Sequence, residues 1–295
     1  MKFGPSPFTY DFVIDIITSH GLEALSSLSI TDHIQNAVDL GFNHFEIGLD
    51  IFQTFPIPIL KDELVKLRQL KKQTDISFSC HLPFLSLDLA CPSKFIREGS
   101  VSAMADLYNQ IKGLESEIEC FIIHPTGETT TDVLNFISDP QIKSFAVEMF
   151  KQNAMHSINS FIAQTRIDLQ KLAIENLEFP LLPTLEIINN TNTRFCLDTA
   201  HLLGGLAGSW DVCDVLADNF DLISEIHLQE YNGNTPMSDH AALGTTGQIS
   251  TEFFEILNSR NFSRPMVFEL TDDEIRESCM YIKKIYPNIR GLPNF

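Results

Sequence analysis

Short apolar runs rich in Ile, Phe, Val and Leu alternate along the chain with longer amphipathic stretches, the rhythm of repeated βα units wrapped around a parallel sheet. The pattern predicts eight strands, over residues 2–4, 44–48, 76–81, 120–124, 171–175, 194–198, 224–228 and 266–269. Helical periodicity falls between them at 31–40, 61–72, 97–114, 142–165, 211–219, 251–259 and 272–285, with Thr31 or Asp32 as N-cap of the first. Eight strands with intervening helices fit a closed barrel better than an open sheet, so the expected fold is α/β, a single (β/α)8 TIM barrel. Such a barrel takes about 250 residues as one domain, and the 295 residues here are read as one catalytic domain. Residues 179–192, with two prolines and an asparagine cluster, predict a short helix between loops. The long polar segment 231–247 suits a mobile loop over the barrel mouth. Gly204, Gly205 and Gly208 read as a turn rather than an anion cradle.

The polar residues at the strand ends carry the chemistry. The third predicted strand ends at His81, the fourth at His124, the fifth at Glu175 and the sixth at Asp198; the seventh contains His227 and the eighth ends at Glu269. In a barrel these ends converge on one face, where enzymes of this architecture keep their active sites. Taken singly, His81 or His124 at the end of an apolar strand reads as a hydrogen-bonded core histidine. Glu175 and Asp198 follow apolar runs, where an unpaired carboxylate costs several kcal/mol. Arg and Lys are scarce nearby, so as a set the residues point to a divalent metal ion. His201, in the spacing Asp198-Thr-Ala-His201, and His240, in the long loop, join the set as metal or substrate contacts. Zinc, manganese and iron all suit such a donor set, zinc and manganese best.

Composition narrows the partners. With 39 acidic and 20 basic residues the net charge is −19, which repels a phosphate backbone and makes duplex DNA a poor partner. Six scattered cysteines with no CxxC pair read as reduced core thiols. No stretch offers the roughly 18 apolar residues of a membrane span, and the N-terminus has no secretory pattern, so a cytoplasmic protein is expected. The 23 phenylalanines read as packing, although Phe52, Phe55 and Phe84 fall near the expected mouth. Trp210 has no assigned place, and His20, His33, His44 and His156 read as surface or packing residues.

The segments FEIGLD, SCHLPF, FIIHPTG, AIENLE, CLDTAHLL, EIHLQE, HAALGTTG and MVFEL together resemble the xylose isomerase-like barrel superfamily, which includes sugar phosphate isomerases and epimerases and the endonuclease IV group. The resemblance implies that Glu175, Asp198, His227 and Glu269 hold one metal. In the endonuclease IV-like members it implies a second metal at His81 and His124, bridged by Glu175, with His201 and His240 beside a third. An aspartate of that third site falls where this chain has Ser238, with Asp239 one position out of register, and the usual Gly-Glu-Gly reads Gly244-Thr-Thr-Gly247.

Two mechanisms follow. The first expectation is a phosphoester hydrolase on a small or non-duplex substrate, with two or three ions activating water; Glu175 bridges and Glu269 is ligand and base. The alternative is a sugar or sugar-phosphate isomerase or epimerase, with one ion and Glu175 and Glu269 on opposite substrate faces; His201 or Arg264 would hold hydroxyl or phosphate groups. A DNA repair endonuclease of the apurinic-site type is third.

Overall fold

A computed structural model describes residues 1–7, 10–55, 59, 61–233 and 240–293, with the backbone alone considered at residues 10, 11, 26 and 27. Eight parallel strands form the barrel: β1 Lys2–Pro5, β2 His44–Gly48, β3 Ser77–His81, β4 Ile118–Ile123, β5 Leu172–Glu175, β6 Arg194–Asp198, β7 Ile223–His227 and β10 Pro265–Phe268. A two-residue hairpin, β8 Glu230–Tyr231 with β9 His240–Ala241, lies between the last two. The barrel strands run in the order β1-β10-β7-β6-β5-β4-β3-β2. Across the seam between β1 and β2, Asn43 N donates to Phe3 O at 3.3 Å and Phe3 N donates to Asn43 Oδ1 at 2.7 Å. Gly4 lets the two backbones meet there, because a Cβ would lie 2.2 Å from the His44 carbonyl oxygen.

Each strand lies within about two residues of its sequence expectation. The main core fills the space between strands and helices, while a small separate cluster of Cys120, Ile122, Ala173 and Cys196 lies on the inward strand faces. Those small inward residues leave room inside the barrel for polar side chains. All six cysteines are free, five of them buried.

Helices that periodicity did not reveal cover Tyr10–His20, Asp50–Thr54, Glu128–Phe136 and Thr199–Leu203. The segment with two prolines does form a helix, Leu181–Thr191, ended by Asn192 in the left-handed conformation. The N-cap of the Ile30–Asp39 helix is Ser29, whose hydroxyl accepts from Asp32 N; Thr31 instead donates its N–H and hydroxyl to Glu63. Gly205 and Gly208 take positive φ in a turn, as expected. No helix among the described residues is long and apolar enough to cross a membrane.

Candidate metal centre at the barrel mouth

The strand alternation that buries one face outward aims the other into the barrel. The strand ends, together with the helix after β6 and the β8–β9 hairpin, bring all eight expected residues together. Glu175, Asp198, His227 and Glu269 place ligand atoms within 4.8 Å of one another; so do His81, His124 and Glu175, and so do Asp198, His201 and His240. Glu175 Oε2 lies 3.2 Å from His81 Nε2 and 3.1 Å from His124 Nε2, and its Oε1 lies 3.5 Å from His227 Nδ1. His227 Nδ1 also faces Glu269 Oε2 at 3.4 Å and Asp198 Oδ2 at 3.8 Å.

Local structure aims these groups. Asp198 ends β6 and N-caps the next helix, its Oδ1 accepting from His201 N at 2.8 Å, which leaves Oδ2 to the mouth. Asn176 exchanges two hydrogen bonds with the Asp198 backbone, both 2.9 Å. Gln229 Nε2 ties Asp198 Oδ2 at 2.7 Å to Glu269 Oε2 at 3.2 Å. The loop expected to be mobile is anchored at both described ends: Glu230 accepts from the backbone of Thr246, Gly247 and Ile249, and the hairpin register places His240 opposite Tyr231. The segment lacking the acid of Gly-Glu-Gly thus wraps an acid supplied by β8. Ser238 and Asp239 lie outside the described residues.

Two tautomers are set by the main chain. His81 Nδ1 lies 2.8 Å from Leu82 O and His201 Nδ1 2.9 Å from Asn176 O. A carbonyl only accepts, so each Nδ1 carries a proton, and in the neutral ring each Nε2 holds the lone pair. For His81 that lone pair would confront Glu175 Oε2, a contact that only a proton or a cation between them resolves. The electrostatics agree: burial lowers the His81 pKa, but the Glu175 hydrogen bond and nearby carboxylates outweigh it and raise it to about 10. His227 is likewise raised, against burial, by Cys196 and the carboxylates Glu269, Glu175 and Glu46. Glu175 and Glu269 stay low despite burial because of His227 and its neighbours. This centre is short of positive charge. His227 Nδ1 is buried without a hydrogen-bond partner while facing three carboxylates, and no Lys or Arg lines the cavity above it among the described residues. These donors fit a divalent cation.

Two cavities meet at His240 and Glu269, about 470 Å³ on the side of His81, Phe84, His124, Leu177 and Glu178, and about 740 Å³ on the side of Phe12, His33 and Arg276. Phe84 departs from a packing role: it is 38% exposed, stacks on the His124 ring at 4.3 Å and lines the first cavity. Asp50 accepts from Phe84 N and Leu85 N and so holds that wall. Phe52 is buried as expected. Arg264 cannot serve a substrate here, because it precedes β10 at the opposite end of the barrel and donates to Phe220 O and Asp221 O. Trp210 lines neither cavity.

Sequence reasoning missed Glu46, Asn176, Glu225 and Gln229. For two of them a signal was present, since Glu225 and Gln229 share the period-two alternation of His227; Glu46, between Phe45 and Ile47, reads like a residue of a solvent-facing strand.

Fold and site define a TIM-barrel enzyme with a carboxylate–imidazole centre at the C-terminal ends of its strands. Residues 34–285 match the xylose isomerase-like TIM barrel family, and the chain belongs to that family. Among solved structures it is similar to a D-tagatose 3-epimerase-like protein (TM-score 0.67, 17% identity, 97% of each chain covered). It also resembles the 3-keto-D-glucoside 4-epimerase YcjR from E. coli (TM-score 0.63, 12% identity, 97% of this chain and 99% of that one). A third is SacUVDE (TM-score 0.59, 18% identity, 96% and 98%). No curated protein matches the chain in sequence.

Proposed function

We propose that the protein isomerises or epimerises a small, uncharged sugar, with Glu175 and Glu269 as the paired acid and base. The observation that carries this is the four-residue group Glu175, Asp198, His227 and Glu269, which sets two carboxylates and a cation site at the floor of a 470 Å³ cavity. These four would hold a divalent ion, which when bound would supply a Lewis acid for a substrate carbonyl. One glutamate would take the proton from the adjacent carbon; for epimerisation the other, protonated from solvent, would return a proton to the opposite face, and for isomerisation the proton would go to the former carbonyl carbon while the hydroxyl proton moves to the former carbonyl oxygen. His81 and His124 hold Glu175 Oε2 in place, and Gln229 holds Glu269. Phe84 offers an apolar face to the carbons of a sugar ring, and Glu128 and Glu178 on the cavity wall offer acceptors to its hydroxyls. The absence of Lys and Arg from that wall, among the described residues, favours an unphosphorylated substrate over a phosphate ester. The similarity to sugar epimerases supports the same reading.

The second reading is the phosphoester hydrolase expected from the sequence. The His81, His124 and Glu175 group favours it, because it offers a second ion position that a one-ion isomerase does not need. Incubation with free ketoses and aldoses in D₂O, with zinc or manganese added, separates the two. Deuterium entering the carbon next to the carbonyl, seen by NMR, supports the isomerase. No exchange across such a panel, together with turnover of a bis-aryl phosphodiester, transfers the assignment to the hydrolase.

A further inference from the structure

Main-chain carbonyls set the tautomers of His81 and His201, but His227 has no such partner. Its ring is fully buried, and neither nitrogen makes a hydrogen bond among the described residues. Nδ1 faces the mouth carboxylates, while Nε2 faces down the barrel, 3.5 Å from Glu46 Oε2 and 3.7 Å from Glu225 Oε1. These two lower carboxylates differ. Glu225 already accepts from Ser79 Oγ at 2.9 Å and Cys120 Sγ at 3.2 Å. Both Glu46 oxygens are sealed from solvent without a hydrogen bond, a costly state for a carboxylate.

We infer that Glu46 is a positioning residue of the centre: it accepts a hydrogen bond from His227 Nε2–H and so presents the Nδ1 lone pair to a divalent cation among Glu175, Asp198 and Glu269. One proton then answers both orphaned groups. Nε2–H supplies the donor Glu46 lacks, and Nδ1, left bare before three carboxylates, requires the cation. A carboxylate on the far nitrogen also makes the imidazole a stronger donor and fixes its rotation. The inference rests on the mouth being a metal site, and its test is chosen to fail separately from that reading.

Zinc affinity, measured on the full chain by competition with a chromophoric chelator, should fall about 10–100-fold in Glu46→Gln and stay within about threefold of the parent in Glu225→Gln. Long-range ¹H–¹⁵N spectra of the zinc-loaded parent with labelled histidine, His227 being assigned by its loss in His227→Asn, should show the proton on Nε2 and none on Nδ1. Should Glu46→Gln not fold, that spectrum decides alone. A proton on Nδ1, or parental zinc affinity in Glu46→Gln, overturns the inference and leaves the metal site standing. A parent chain that takes up no zinc overturns the metal reading and the inference with it.

Discussion

Two polar layers lie one above the other inside this barrel, built from the same residue types, the lower fully sealed and the upper opening on the mouth cavity, and their charges settle differently. In the lower layer His44 lies 2.8 Å from Ser77 Oγ and 2.9 Å from Ser79 Oγ, and Ser79 and Cys120 both donate to Glu225. Burial prevails there: it lowers the His44 pKa to about 3 and pushes Glu225 up to about 8, so both groups are neutral near pH 7. In the upper layer burial still lowers His124 and raises Asp198, but it is outweighed at His81, which rises to about 10, and at Glu175, which remains ionised. Residue type is common to both, so it alone does not mark the candidate centre. The supply of partners does: hydroxyls and a thiol serve His44 and Glu225 below, whereas above them the imidazoles of His81, His124 and His227 crowd against Glu175, Asp198 and Glu269, a donor set that fits a cation.

The largest effect should come from breaking the upper layer's chemistry. Glu269→Gln keeps the shape and removes the base, and kcat should fall about 10²–10⁴-fold with the circular dichroism spectrum unchanged. A smaller loss would remove Glu269 from the proton-transfer pair.

Next comes removal of the ion. A site filled at a hundred times its Kd contributes about 2.7 kcal/mol to stability, so chelation should lower the melting temperature by several degrees and added zinc or manganese should restore it. The lower layer predicts the contrary for itself: its hydrogen bonds are internal, and His44→Gln should keep the parental melting shift on zinc addition.

A subtler contrast concerns acid. The folded pKa of His44 lies below its ordinary value of 6.5, so the unfolded chain takes up the proton first. His44 therefore contributes stability above about pH 6.5 that is lost as pH falls toward about 3. Urea unfolding between these limits should show a shallower acid loss in His44→Gln than in the parent chain; equal slopes would place the imidazole in contact with water.

How much of this contrast is visible in the sequence depends on the layer. The upper layer was legible, because a His, Glu or Asp closing an apolar strand is conspicuous, as at Glu175 after Leu-Ala-Ile and Asp198 after Phe-Cys-Leu. The lower layer was not, because His44 and Glu46 alternate with Phe45 and Ile47 as the residues of a solvent-facing strand do, and only barrel closure turns that face inward. Helices shorter than about three turns, such as Asp50–Thr54 and Thr199–Leu203, show too little periodicity to be read. Arg264 was misplaced for a related reason: its position beside β10 was legible, but which end of the strand faced the mouth mattered more.

The smallest expected effect follows from that correction. Arg264→Lys, at the far end of the barrel, should leave KM within about twofold and stability within about 0.5 kcal/mol of the parent. A large rise in KM would return the arginine to the substrate.

The central claim is that the upper layer is a metal centre, and elemental analysis of the purified, unchelated chain tests it most directly, repeated on Glu175→Gln and on the His81→Ala/His124→Ala pair. The account predicts at least one equivalent of a divalent metal per chain, lost in Glu175→Gln and retained in the histidine pair variant. No metal in the parent chain, even after reconstitution with zinc, manganese or iron, would contradict it.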